Sequence, residues 1–183
     1  MKNKLRYLTL FAAILTLAAC SPKYYIPNTQ NVPLLTHRGD ISLSACGNDR
    51  QAEIQAAVAV TPRLGLMANG VWYLPKTENN GSGGQGSLGE IGAGYFLPLA
   101  GHLVFEAYGL VGFGHVENKM PYTLATYPSS TGKINANLLR FALQPNIGFK
   151  TKYFHAAISS RFVSLNFHDI QGSLIYQDTD QAA

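Results

Sequence analysis

From residue 36 onward the chain consists of runs in which large apolar residues take every second position, separated by short clusters of turn residues. Side chains of a strand point alternately to opposite faces, so this pattern specifies β-structure with two unlike faces. The runs predict strands over 36–46, 51–60, 64–74, 87–97, 102–115, 133–146, 153–167 and 170–177. Three links are short: Thr61-Pro62-Arg63, Pro98-Leu99-Ala100-Gly101 and Lys150-Thr151-Lys152. Two links, Pro75 to Gly86 and Val116 to Gly132, are long and polar. Short links follow even strands and long ones follow odd strands. An up-and-down antiparallel β-barrel of about eight strands gives that alternation, with turns at one end and loops at the other.

The faces differ in kind. In the third strand Leu64, Leu66, Ala68, Gly70, Trp72 and Leu74 oppose Gly65, Met67, Asn69, Val71 and Tyr73. In the second, Ala52, Ile54, Ala56, Val58 and Val60 oppose Gln51, Glu53, Gln55, Ala57 and Ala59. In the fifth, Leu103, Phe105, Ala107, Val111 and Phe113 oppose Glu106, Tyr108, Gly112 and Gly114. Every mid-strand charge falls on the smaller or more polar face, which collects Arg38, Asp40, Glu53, Glu90, Glu106, Arg140 and Arg161. Parity does not say which face turns inward. Composition does, because only 13% of residues are charged, about half the usual share, and one stripe of each strand is nearly charge-free. A barrel that is apolar outside and polar within is the membrane type. Buried charges persist only when paired and hydrogen-bonded, so the seven charged residues are expected to form an interior polar network. Trp72, Tyr73, Tyr95, Tyr122 and Phe154 lie near strand ends, where membrane barrels carry interfacial aromatics.

Motif chemistry is sparse. Asn79-Asn80-Gly81-Ser82-Gly83-Gly84-Gln85-Gly86 lacks the Gly-Lys-Ser/Thr ending and following helix of a phosphate-binding loop, and reads as a hairpin loop. His37, His102, His115, His155 and His168 show no zinc-ligand spacing, and no cofactor motif is present. His155 and Ser159 share a strand face, yet four residues of strand separate them by roughly 13 Å. That is beyond the reach of a nucleophile and its base. No other Ser/His/acid set is suggested by spacing, so no catalysis is expected.

A leader precedes the strands. Lys2, Lys4 and Arg6 stand before the apolar run Tyr7–Leu17, which Ala18, Ala19 and Cys20 follow. An apolar run of roughly 11–13 residues is too short to span a bilayer and reads as an export signal that is removed. Leu17-Ala18-Ala19-Cys20 resembles the lipobox of bacterial lipoproteins, whose cysteine becomes the acylated first residue. Acylation needs a thiolate at the cut site, and Cys20 is the candidate there. Ser21, in place of Asp, is similar to lipoproteins sorted to the outer membrane. Asn31-Val32-Pro33-Leu34-Leu35 leading to Gly39-Asp40 resembles the opening of outer-membrane β-barrel lipoproteins of Bacteroidetes, which carry no assigned activity. The resemblance implies contact with outer-membrane lipid and with the lipoprotein-sorting and barrel-assembly machineries. Membrane barrels usually finish in a terminal aromatic, whereas Gln177–Ala183 is polar. The closing strand is therefore either short and imperfectly paired or an inner strand of a truncated barrel.

Three units follow: a signal over 1–19, a lipidated extended tether over 20–35 and a barrel over 36–183. Loss of Lys2, Lys4 and Arg6 takes the formal charge from +4 to about +1, so the basic pI does not argue for nucleic acid. Cys46 is then left without a partner cysteine. The expected protein is lipid-anchored in a bacterial outer membrane, with its N-terminus on the periplasmic side. A structural or surface-interaction role through the long loops is expected, with no extracellular partner identified. The alternatives are a tethered soluble barrel resembling a lipocalin, with a small apolar ligand, and a membrane-lipid-modifying enzyme like the palmitoyl transferases of small barrels.

Overall fold

The computed structural model describes residues 27–77, 83–119 and 131–175. The leader, Cys20, Tyr122 and the polar ending lie outside the described residues. Eight strands form one antiparallel up-and-down sheet: β1 (Ile41–Gly47), β2 (Gln51–Ala59), β3 (Leu64–Thr77), β4 (Gly83–Pro98), β5 (Leu103–Lys119), β6 (Thr131–Lys150), β7 (His155–Ser159) and β8 (Phe162–Ile175). The tight turns are set by side chains that cap their own backbone. Asn48 Oδ1 accepts the amides of Arg50 and Gln51 between β1 and β2. The Thr61 hydroxyl accepts those of Arg63 and Leu64 between β2 and β3. The Thr151 hydroxyl accepts those of Tyr153 and Phe154 between β6 and β7. Between β4 and β5 a 3-10 turn, Ala100–His102, reverses the chain through Gly101 at φ 71°.

The long links differ from expectation. Strand pairing continues into both, with Lys76 opposite Gly84 and Lys119 opposite Gly83 and Lys133. The span between β3 and β4 shrinks to 78–82, and that between β5 and β6 to 120–130. Glycine-rich sequence here serves paired backbone, so the loop alternation is weaker than composition suggests.

The last two strands also differ. His168 and Asp169 read as a turn separating two strands, but Asn137 pairs with His168 and Asn135 with Gln171, so the chain runs straight on. Asp169, at φ 51°, absorbs one extra residue as a bulge. The real interruption comes earlier, at Ser160–Arg161, opposite Gln144 and Pro145. Proline has no amide hydrogen to donate, and the Ser160 amide is left to bond the Pro145 carbonyl at 3.1 Å. β7 and β8 therefore lie end to end along β6, and the sheet is seven strands wide. No hydrogen-bonded pairing joins β1 to β7 or β8 among the described residues, so the curl is not closed.

Rows across the polar face alternate in character. Val71, Leu88, Gly114 and Leu138 form one, Asn69, Glu90, Gly112 and Arg140 the next, then Met67, Gly92, Leu110 and Ala142, then Gly65, Gly94, Tyr108 and Gln144. Each row sets a glycine beside a bulky neighbour. A Cβ on Gly112 would meet Glu90 at 2.8 Å, and one on Gly94 would meet Tyr108 at 2.4 Å. On the other face a Cβ at Gly89 would meet nothing within 4 Å. The polar face is thus the crowded, concave side.

Candidate functional site

The concave side is filled by the chain's own N-terminal segment. Residues 27–36, expected as an extended tether, are extended but run inside the curl as a strap. Asn28, Asn31, Leu34 and Leu35 are buried. Two prolines and no periodicity mark the segment as irregular, and its unpaired backbone groups and amide side chains find partners on the sheet. Asn28 Nδ2 donates to Glu90 at 3.0 Å, and its Oδ1 accepts from Arg140 at 2.7 Å and Arg161 at 3.0 Å. The Thr29 amide donates to Glu53 at 3.0 Å, Asn31 to Asn69 at 2.9 Å, and Gln144 to the Asn31 carbonyl at 2.7 Å. The Leu34 and Leu35 amides donate to the two oxygens of Glu106 at 3.2 and 2.8 Å.

The strap also bridges the open seam. Thr29 sits on Glu53 of β2, whereas the next side chain, Gln30, bonds Ser159 of β7. Neighbouring strap residues can reach both sheet edges only if those edges approach across a narrow lumen.

Of the seven charged residues expected inside, Glu53, Glu90, Glu106 and Arg140 are buried. Arg161 enters from the β7–β8 break, its side chain 5% exposed. Arg140 lies 2.9 Å from Glu90 and Arg161 lies 3.7 Å from it. Glu106 has no such cation among the described residues; besides the strap amides it accepts from Tyr108 at 3.2 Å and Asn146 at 3.3 Å. Asp40 stands at the rim, 3.7 Å from Lys150, and accepts the Thr36 amide at 2.8 Å and hydroxyl at 2.7 Å. Burial raises the Asp40 pKa, but the Thr36 hydroxyl and amide, the His37 amide and the Lys150 ammonium outweigh it and hold the carboxyl below its ordinary value.

Arg38 is the exception. It is exposed, in the turn before β1 rather than inside that strand. Parity placed it inward only because the first strand was expected to start at residue 36. Lys150 takes its place, donating also to the Leu34 carbonyl at 2.8 Å. Strap residues, Gln144 and Asn146 are members that sequence reasoning missed, being uncharged. The one signal for the strap is the hydrogen-bonding quartet Asn28-Thr29-Gln30-Asn31 beside Pro27.

The convex face is apolar and uncovered. Ile91 is 64% exposed, Phe113 63% and Phe162 65%, with Leu66, Phe141 and Leu143 alongside. Trp72, Tyr95 and Phe154 lie on it as expected, whereas Tyr73 turns inward, 7% exposed, against Val71 and Leu88. Period two makes that reversal unavoidable, since Trp72 and Tyr73 are adjacent. A shallow apolar groove of about 550 Å³ crosses this face over Ile54, Ala68, Gly70, Gly89, Ile91 and Phe113.

Polar side chains enter the convex face toward the strand ends, and one such row runs across four strands. Ser87 of β4 stands opposite His115 of β5, His115 opposite Asn137 of β6, and Asn137 opposite His168 of β8. His115 Nδ1 lies 2.9 Å from Asn137 Oδ1, and Asn137 Nδ2 donates to Asp169 at 3.1 Å. By contrast His155 bonds the Thr151 carbonyl and Ser159 bonds Gln30 and Asn146, so those two do not meet. No group of three His, Cys, Asp or Glu is placed to hold a metal among the described residues.

No family model, curated protein or solved structure matches the chain.

Proposed function

We propose that this protein is a lipid-anchored outer-membrane β-barrel whose lumen is sealed by its own N-terminal strap and whose role is structural or surface-interacting. The supporting observation is the inversion of the two faces: charges and amides are buried in the concave side while large apolar side chains cover the convex one. In water such a face of leucines, isoleucines and phenylalanines would drive association; in hydrocarbon it is the stable arrangement. Trp72 and Tyr95 bound this band. Leu64 pairs with Tyr95, so eight residues of β3 separate the two aromatics, about 27 Å of strand or roughly 20 Å of height at a 40° tilt. Strap and polar network fill the lumen, which argues against bulk conduction.

Acylation of Cys20 would hold the strap's leading end at the membrane surface, only a few residues from Asn28. Lipid and strap then act on the same end of the barrel. The test is carbonate extraction of membranes bearing the Cys20→Ala chain. A barrel that spans the bilayer stays in the membrane fraction without its lipid; release into the soluble fraction would instead establish the tethered soluble barrel.

A further inference from the structure

The polar row on the convex face has a chemistry that the sealed lumen does not explain. We propose that Ser87, His115 and Asn137 form a serine-hydrolase site that cleaves acyl esters of bilayer phospholipids. This goes beyond a structural role, departs from the expectation of a non-catalytic barrel, and rests on the membrane reading.

Three observations carry it. First, residues directly opposite on neighbouring antiparallel strands hold their Cβ atoms about 4.5–5.5 Å apart on one face. The pairings of Ser87 with His115 and His115 with Asn137 therefore set nucleophile, base and orienting group side by side. Second, the imidazole is oriented. Its Nδ1 faces Asn137 Oδ1 at 2.9 Å, and Asn137 is itself fixed by Asp169 at 3.1 Å. An Nδ1–H donated to asparagine leaves Nε2 as the basic nitrogen, free to serve the Ser87 hydroxyl. Third, the row stands where an ester would be. Toward the strand ends the next outward row is polar, Gln85 beside Glu117, with Glu117 paired to Lys133 at 2.9 Å. Toward the middle it is Gly70, Gly89 and Phe113, which open the apolar groove. A polar row lies on one side and the shallow apolar groove begins one row away on the other. Gly89, two residues from Ser87 on the same face, leaves that groove unobstructed.

The reaction balances as an ester hydrolysis. Ser87 Oγ attacks the acyl carbonyl carbon and its proton passes to His115 Nε2. The tetrahedral intermediate expels the lysolipid alkoxide, which takes that proton. A water molecule, deprotonated by His115, then attacks the acyl-serine carbonyl; the bond to Ser87 Oγ breaks, that oxygen retakes the proton from His115, and the fatty acid is released. Asn137 is a positioning residue: it holds the tautomer and ring plane and steadies the imidazolium.

The test uses the full chain in vesicles of phosphatidylethanolamine and phosphatidylglycerol, with insertion checked by carbonate resistance. Fatty-acid release is followed by mass spectrometry, and the nucleophile by labelling with a fluorophosphonate. The native chain should label and release fatty acid. Ser87→Ala should abolish labelling, and His115→Gln should slow release by at least ~10²-fold. Asn137→Ala should lower kcat more than KM and move the acid limb of the pH profile, which a merely structural residue would not do. These outward polar positions lie clear of the packed lumen, and carbonate-resistant insertion of each variant excludes a folding defect. An inserted native chain that neither labels nor releases fatty acid overturns the proposal, as does a Ser87→Ala chain that works as well as the native one. A chain that carbonate strips from the vesicles overturns the membrane reading and this site with it.

Discussion

Asn28→Ala should loosen the strap without loosening the sheet. Its amide links three charged groups: Glu90 at 3.0 Å, Arg140 at 2.7 Å and Arg161 at 3.0 Å. Hydrogen bonds to charged partners contribute about 1.5–3 kcal/mol each, so three have a gross worth of roughly 5–9 kcal/mol. Two effects reduce the net loss. Glu90 and Arg140 remain paired at 2.9 Å without the amide, and the space left by the truncated side chain is polar enough to admit a water. A net loss of about 2–4 kcal/mol follows, which is roughly 30- to 10³-fold in a local opening equilibrium. The assay is amide hydrogen exchange in detergent micelles or vesicles. The Thr29 amide, bonded to Glu53 one residue away, should accelerate by that factor. Leu34 and Leu35, held separately by Glu106, should accelerate less, and the mid-sheet amides of Ile91 and Val111 should hardly change. Acceleration of Thr29 by less than about threefold, or equal acceleration at Ile91, would refute the strap as a locally held element.

Further outcomes follow from the same geometry. Gly148→Ala should destabilise by about 1–3 kcal/mol, because its Cβ would lie 2.5 Å from Leu34 Cδ2 in the strap. Gly109→Ala on the convex face, where the nearest atom is 4.0 Å away, should be neutral or mildly stabilising; urea titration in vesicles compares them. Ile91→Arg should cost about 2–4 kcal/mol in a bilayer and nothing in a soluble barrel, read by the same titration. Asp40 sets an acid limit. Its folded pKa lies below the ordinary 3.8, so its contribution is complete above that value and is lost as pH falls through the lowered one. Protection of the Thr36 amide, taken relative to its intrinsic exchange rate at each pH, should fall only below pH 3.8, and protection already lost at neutral pH would contradict the assigned bonds.

Much of this architecture is legible in period two. The strand faces follow from parity, because a one-residue slip would invert every strand. The up-and-down order follows from the short links, and the burial of Glu53, Glu90, Glu106 and Arg140 from parity together with the low charge content that turns the polar face inward. What escapes has physical causes. The strap has no period to read, since its hydrogen bonds go to side chains across the lumen instead of to a neighbouring strand. The break between β7 and β8 turns on a proline at position 145 of the facing strand, and the continuity of β8 past His168 turns on a bulge at Asp169; neither is visible from its own segment. Arg38 and Lys150 exchange roles because the first strand begins at Ile41. Ser87, His115 and Asn137 lie 28 and 22 positions apart, and only strand register brings them into one row.

The central claim is that the apolar convex face meets lipid while the concave face is sealed. Spin labels placed one at a time at positions 88 to 93 of β4, in a Cys46→Ser background, test it directly in vesicles. The account predicts that 89, 91 and 93 relax strongly with oxygen and weakly with a water-soluble nickel complex, and that 88, 90 and 92 respond to neither. Strong relaxation of 89, 91 and 93 by the nickel complex would place that face in water and contradict the account.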